Sequence, residues 1–269
     1  IKVEPVSYYY TFIVHCCPDL TLSSKQNTKI TLREIIEPMI INESGKLIPL
    51  ERYNDLPIPA SLGVNMLLLT CKDEKIIVPR RGPYVAIAPN MYGVSVAGSI
   101  DWKTIISVPN AYLRHVLCQE ILERSEASPY VELRGIIPLG LARIIWTLGG
   151  PGFYTLGFAD ISSSRDDVKK FLKVGRYEEN VDYITVDVSR ELHLCKNFEF
   201  NTDKICEDIH EIYRAMLKFL VKNYNSVGLS IHVVIVLMAI ILNIYCNVVD
   251  EAIGDITAKK YLETSPTSD

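Results

Sequence analysis

The sequence predicts an α/β chain of the α+β kind, and three stretches carry that expectation. Positions 62–70 are an apolar run of strand length. After the turn Cys71-Lys72-Asp73-Glu74, positions 75–81 form a second run, so the two read as a hairpin. Positions 110–126 follow a helical period, with Leu113, Leu117 and Ile121 recurring at i, i+4 and Val116 beside them. Asn110 is placed to cap that helix and Pro129 lies just past its end. Strand character returns over 131–160, giving the order strands, helix, strands.

The remaining elements follow from the same signals. Over 6–14 aromatic and β-branched residues dominate, so the first 60 residues are expected to be a β-rich extension. Positions 29–36 alternate and read as a second strand, and Asn42-Glu43-Ser44-Gly45 reads as a turn. The prolines of Leu56-Pro57-Ile58-Pro59 mark a boundary. Positions 92–98 read as a short strand ending in Gly98. Within 131–160, strands are expected at 131–137, 139–143 and 153–159, with Gly149-Gly150-Pro151-Gly152 as a turn. That glycine turn lacks the lysine and following Ser or Thr of a phosphate-binding P-loop.

Ser164 is placed to cap a short helix running to Lys173, and 183–186 read as a strand. From Thr202 a longer helix puts Ile205, Ile209, Ile212, Met216 and Phe219 on one apolar face. The domain expectation is therefore an extension at 1–60, a core at 61–160, a C-terminal α/β extension at 161–256 and a flexible polar tail at 257–269.

The apolar run 227–248 is long enough to span a bilayer. A buried core helix is the preferred reading, because His232 and Asn243 are costly in lipid and the flanking charges give no topology signal. A membrane-tethered chain stands as the alternative, and it predicts detergent dependence.

Composition narrows the function classes. The chain has 269 residues, 48% hydrophobic and 22% charged, with net charge −4, as expected of a globular protein. No Lys/Arg run exceeds two residues, so extended nucleic acid is not an expected partner. The seven cysteines include no C-x-x-C pair and no zinc-type Cys/His spacing, and reduced thiols in a cytoplasmic protein are expected. His115 and His210 stand in no recognisable catalytic arrangement and read as core or surface residues.

The stretch from Leu62 to Gly98 resembles the Nudix family. An apolar strand, a hairpin turn, a strand ending in Arg80-Arg81, a proline-bearing loop and the run Tyr92-Gly93-Val94-Ser95-Val96-Ala97-Gly98 carry the resemblance. Gly98 stands where the Nudix box begins. Later, Pro138-Leu139-Gly140-Leu141-Ala142-Arg143 and the glycine turn at 149–152 look like the strands that follow the box helix. The resemblance covers about 60–160. It implies an α/β/α sandwich with a mixed sheet, here with N-terminal β-rich and C-terminal helical additions. It also implies a nucleotide-like diphosphate ligand and Mg or Mn as cofactor.

The box itself, G-x5-E-x7-R-E-U-x-E-E-x-G-U with U aliphatic, is degenerate here. In the best register Glu120 and Glu123 match two of its glutamates, while Gln119 replaces the arginine, Arg124 the last glutamate and Glu126 the glycine. An insertion around 103–110 has to be assumed. A second register sets Arg114 on the motif arginine, and His115, Cys118 and Gln119 then replace all three glutamates.

In the first register the resemblance assigns Glu120 and Glu123 as catalytic and metal-binding, with Asp101 adding a loop carboxylate. Arg80, Arg81, Gly98 and Arg124 are its phosphate-binding candidates. Residues three apart on a helix share a face, which suits Glu120 and Glu123 to one ion. Arg124 beside them adds like charge against a divalent cation, though a guanidinium suits a phosphate. A solvated helix face is the structural alternative for Glu120, Glu123 and Glu126.

Two functions follow. One is a metal-dependent Nudix-like hydrolase of a nucleotide diphosphate-linked substrate. The other is a catalytically inactive Nudix-like module that binds a nucleotide or a protein. Turnover that needs metal separates the first from the second. The expected partner is a nucleotide-like small molecule, self-association is open, and a membrane is not an expected partner.

Overall fold

The computed structural model describes residues 19–23, 29–41, 44–46, 63–85, 88–99, 131–143, 151–161, 165–175, 178–188, 191–196, 202–223 and 228–246. The expected helix at 110–126, the strand at 6–14 and the tail at 257–269 lie outside them.

Near the N-terminus, β1 (Thr21–Ser23) and β2 (Lys29–Thr31) pair antiparallel, and α1 (Leu32–Ile40) follows at once. The strand expected over 29–36 therefore stops at Thr31. The cause is a capping box. The Glu34 N–H donates to Thr31 Oγ1 at 3.1 Å, and the Thr31 N–H donates to Glu34 Oε2 at 2.7 Å. This reciprocal pair satisfies two backbone donors that a helix start otherwise leaves open, so local capping overrides the alternating pattern. Arg33 adds an ion pair to Asp19 at 2.6 Å. Hydrogen bonding holds both Asp19 and Glu34 below their ordinary carboxylate range, from Arg33 in one case and from the Thr31 N–H in the other.

The centre is a six-stranded mixed sheet of β3 (Gly63–Thr70), β4 (Lys75–Arg81), β5 (Val96–Ser99), β6 (Val131–Arg143), β7 (Pro151–Ile161) and β8 (Asn180–Asp187). Its order is β6-β7-β3-β4-β8. The expected hairpin is present as β3 and β4, paired antiparallel from Leu68↔Ile77 to Thr70↔Lys75. The two strands expected at 131–137 and 139–143 are one, β6, which runs through register shifts at Leu133/Gly135 and Pro138/Gly140.

β3 is the axis of the sheet. One edge pairs in parallel with β7 along its whole length, Gly63↔Gly152 to Thr70↔Ala159. Its other edge is shared, with β5 on Gly63 to Met66 and β4 on Leu68 to Thr70. Both faces are covered, which explains why Val64 to Thr70 are all buried and read as an unbroken apolar run.

The two faces separate by strand alternation. Leu67, Leu69, Ile76, Val78, Leu156 and Phe158 face one cluster. It is completed by α3 (His193–Lys196), α4 (Thr202–Lys222) and α5 (Ile231–Cys246). Val64, Met66, Leu68, Ile77 and Ile161 face the other, closed by Val168 and Phe171 of α2 (Arg165–Phe171). The fold is thus an α/β/α sandwich on a mixed sheet, as expected. Close packing shows at Gly157, where a Cβ would overlap Met66 Sδ and lie 3.0 Å from Leu68 Cδ1.

α4 presents the apolar face read from the sequence: Ile205, Ile209, Ile212 and Met216 are buried. α5 lies within the apolar run 227–248 and packs on the sheet through Val233, Val236, Leu237 and Ile240, but it is not buried all round, since Met238 is exposed. No described helix is long and apolar enough to cross a membrane.

One expectation about cysteine is overturned. Cys71, at the β3–β4 turn, and Cys195, in α3, form a disulfide with Cα atoms 4.7 Å apart. Positions 124 residues apart in the chain meet because the surrounding backbone brings them together. The Leu192 N–H donates to Glu74 Oε1 at 3.1 Å, the Val188 N–H to the Glu74 carbonyl at 3.1 Å, and the Arg134 guanidinium to the Cys195 carbonyl at 2.6 Å. Sequence spacing carries no trace of such a contact.

Candidate functional site

One end of the sheet gathers the polar groups. β3 and β7 begin there, while β4 and β5, antiparallel to β3, end there. Arg81 closes β4 at this end, and Gly98 pairs with Val64 of β3. Of the sequence-derived candidates, Arg80, Arg81 and Gly98 are thus described. Asp101, Glu120, Glu123 and Arg124 lie outside the described residues.

Arg80 is exposed, and its backbone bridges Tyr92 on one side and pairs with Asp182 on the other. Arg81 sits deeper. Its guanidinium meets Glu179 Oε1 at 2.7 Å, with 20% of its side chain exposed. Its aliphatic stem lies against Gly93, where a Cβ would come within 3.2 Å of Arg81 Cδ. Glycine at 93 therefore lets the arginine lie flat across the strand end.

Three further residues join this end on the face covered by α5. Asn65 and Tyr154 are register partners across the parallel β3–β7 pair, so their side chains share a face. Asn65 is buried, and its Nδ2 lies 2.9 Å from where a Cβ on Gly152 would stand, so a side chain at 152 would displace the amide. Tyr154 is buried, and its hydroxyl lies 3.0 Å from Nδ1 of His232 in the first turn of α5. Their rings stack with centroids 6.1 Å apart.

Burial sets the protonation of this pair. It pushes the Tyr154 phenol up to about 12. It also holds the His232 imidazole below its ordinary value, and the Arg81 charge adds to that. Both groups are neutral near pH 7. The phenol is the better donor and the imidazole nitrogen the better acceptor, so Tyr154 donates to Nδ1 and leaves the proton of His232 on Nε2. On the α5 face this sheet end thus carries a phenol–imidazole pair and, on the strand beside it, a buried amide.

Titration of His232 gives a testable sign. Its folded value lies below the ordinary 6.5, so the unfolded chain binds the proton first as pH falls. The associated stability is complete above about pH 6.5 and is lost progressively below it. Urea midpoints followed between about pH 5 and 8 are expected to fall on the acid side in the native chain and to fall less in His232→Gln. Parallel curves for the two proteins would contradict this.

The metal expectation meets a narrower finding. Among the described residues, no group of three His, Cys, Asp or Glu side chains comes together to hold an ion. Glu179, the carboxylate against Arg81, is engaged with that guanidinium. The metal candidates Glu120, Glu123 and Asp101 lie outside the described residues.

Sequence reasoning missed Asn65, Tyr154, Glu179 and His232. Tyr154 and Asn65 sit in apolar strands and look like core positions. His232 carried a signal, as a polar ring interrupting an apolar run just after Ser230.

Comparison with known proteins gives a likeness in structure alone. No family model matches the chain, and no curated protein matches it. A NUDIX hydrolase from Nitrosomonas europaea is 11% identical, with a TM-score of 0.31, over 58% of this chain and 90% of that one. The NUDIX domain of NrtR from Shewanella oneidensis, solved with ADP ribose, is 14% identical, with a TM-score of 0.24, over 52% and 82%. The resemblance is to Nudix hydrolases. A bifunctional NMN adenylyltransferase/ADP ribose pyrophosphatase from Francisella tularensis is 9% identical, with a TM-score of 0.26, and the match spans 64% of this chain and 44% of that one. At such identities and scores the likeness says nothing of this chain's activity.

Proposed function

We propose that this chain is a divergent Nudix-like protein that binds a nucleotide-like, phosphate-bearing ligand at the sheet end marked by Gly98 and Arg81. The observation that supports this most is the position of Arg81. It is, with Arg80, one of the two strand-end arginines that the resemblance offers for phosphate, and of the two it is the one that lies partly buried. A sheltered guanidinium binds phosphate more strongly than one on an open surface, because water competes less for it.

Hydrolysis is the finer part of the reading. Glu120 and Glu123, with Asp101, would hold Mg or Mn, and the ion would supply charge stabilisation at the diphosphate and an activated water. The chain's own residues orient the ligand: Arg81 takes a phosphate oxygen, and the glycine at 98 lets the backbone approach closely. Arg124 and Gln119, in place of an acidic and a basic box position, favour binding without turnover as the second reading.

One assay series separates them. Nucleoside diphosphate-linked compounds, ADP ribose among them, are incubated with the chain and Mg²⁺ or Mn²⁺, and release of a nucleotide product is followed. The hydrolase reading expects metal-dependent release that Glu120→Gln abolishes. Release that survives Glu120→Gln would sink this assignment of the metal site. Thermal stabilisation by ligand without metal and without turnover would establish the binding module instead.

A further inference from the structure

We infer that the chain carries a second anion site, separate from Arg81 and Gly98: a cleft on the outer face of α2 that takes a phosphate-class anion on Lys169, Lys170 and Lys173. The cleft has a volume of about 630 Å³ and is lined by these three lysines with Asp166, Val174 and Glu178. It lies on the outer face because α2 turns Val168 and Phe171, with Leu172 just after them, into the core.

The end of α2 sets the lysines in place. The Val174 N–H donates to the Lys169 carbonyl at 2.8 Å, and the Lys173 N–H to the Lys170 carbonyl at 3.0 Å. This pair of bonds is a Schellman motif, and its left-handed position falls on Lys173, with φ 50°. Glycine is the usual residue there, because an L side chain is disfavoured in that conformation. A lysine held against the preference of its backbone points to a use for its side chain.

Charge is the second observation. The three lysines line one cleft, so like charges stand close together and oppose one another. Among the described residues, no carboxylate comes within ion-pair distance of any of the three. Asp166 and Glu178 line the same cleft, yet neither closes on a lysine, and the lysines outnumber them. A phosphate-class anion would meet ammonium groups with three donors each and relieve their repulsion. Balancing the helix dipole accounts for Lys169 and Lys170, which lie in the last turn of α2. It does not account for a lysine at the left-handed position beyond that turn.

The test uses inorganic pyrophosphate on the full chain at about 0.15 M salt, where diffuse attraction to surface charge is screened. Acylation of lysines with and without the probe, mapped by mass spectrometry, reads each side chain separately. Lys169, Lys170 and Lys173 are expected to be protected several-fold, and the exposed Lys72 of the β3–β4 turn is not. In Arg81→Ala the same protection is expected, because the cleft does not use Arg81. Lys169→Gln combined with Lys173→Gln is expected to raise the half-protecting concentration at Lys170 by about tenfold, a few-fold for each exposed charge. Lys173→Gly is expected to raise the urea midpoint, because glycine suits the left-handed position, and to weaken protection a few-fold. Lys173→Arg keeps the charge and is expected to match the native chain in both.

Outcomes are separable. If the three lysines are protected no more than Lys72, the inference falls, whatever Arg81 does. If their protection vanishes in a folded Arg81→Ala, they belong to the ligand site at Arg81 and the separate site falls. If Lys173→Gly gains stability and keeps full protection at Lys169 and Lys170, Lys173 holds no anion and the inference falls as stated. Protection kept in Arg81→Ala and weakened in Lys173→Gly supports it. Failure of the ligand site at Arg81 leaves this one standing, since neither its residues nor its readout involve Arg81.

Discussion

Replacing Cys195 by Ser is expected to lower the free energy of unfolding by about 2–4 kcal/mol. The disulfide closes a loop between positions 124 residues apart, from the β3–β4 turn to α3. A link over that span removes many conformations from the unfolded chain, and the loop-entropy limit for it is close to 5 kcal/mol. On the folded side little needs to change when the bond is absent. The Arg134 guanidinium still holds the Cys195 carbonyl, Glu74 still holds the Leu192 N–H, and the buried Asp208 still accepts the Leu194 N–H at 2.8 Å. The effect is therefore expected mainly through the unfolded state, with α3 still docked.

Urea unfolding of the oxidised chain, the chain in reductant, and Cys195→Ser measures this. The last two are expected to share one midpoint below the first. Peptide mapping without reductant is expected to recover the segments holding Cys71 and Cys195 as one linked species. Equal midpoints with and without reductant would show that the bond contributes nothing.

The legible part of this fold was the part in which a single segment carries its own signal. The hairpin at 63–81 announced itself by two apolar runs about a polar turn, and α4 by apolar positions at helical spacing. What stayed illegible depends on partners distant in the chain. The run 92–98 has strand composition throughout, yet only Val96–Ser99 pairs as a strand with β3. Tyr92 instead bridges Arg80 and Leu229, and Gly93 donates its N–H to the Pro79 carbonyl at 2.8 Å. The chain switches neighbours within four residues, and alternation cannot report which strand is being addressed. The same limit applies to the site. Arg80 and Arg81 are legible together because a family pattern points to that strand end, whereas the Tyr154–His232 pair exists only because α5 returns to the start of β7. The thiols misled for a related reason: burial explained each cysteine alone, and only the topology makes two of them neighbours.

Ser95→Ala is expected to destabilise the chain by about 2–4 kcal/mol and to disturb the ligand site together with the fold. Ser95 is buried where β3 exchanges β5 for β4 along one edge. Its hydroxyl accepts the Leu68 N–H at 2.8 Å and donates to the Ile77 carbonyl at 2.5 Å. Leu68 and Ile77 are themselves register partners, so the hydroxyl stands in for a backbone bond between them. Alanine leaves a buried donor and a buried acceptor unmet, each costing about 1–3 kcal/mol, with some return if the two strands close on each other. Closure has its own consequence. Ser95 wedges the strands apart, so that β4 carries Arg81 away from β3 while β5 fills the gap and carries Gly98. Drawing β4 onto β3 would shift Arg81 relative to Gly98. Ser95→Ala is thus expected to lose affinity for pyrophosphate beyond what its stability loss explains, measured at a temperature where the variant is still folded. Ser95→Thr retains the hydroxyl and separates its role from that of volume: unchanged affinity in Thr with loss in Ala supports the wedge. Native affinity in a folded Ser95→Ala would mean that the fork in the sheet does not position the site.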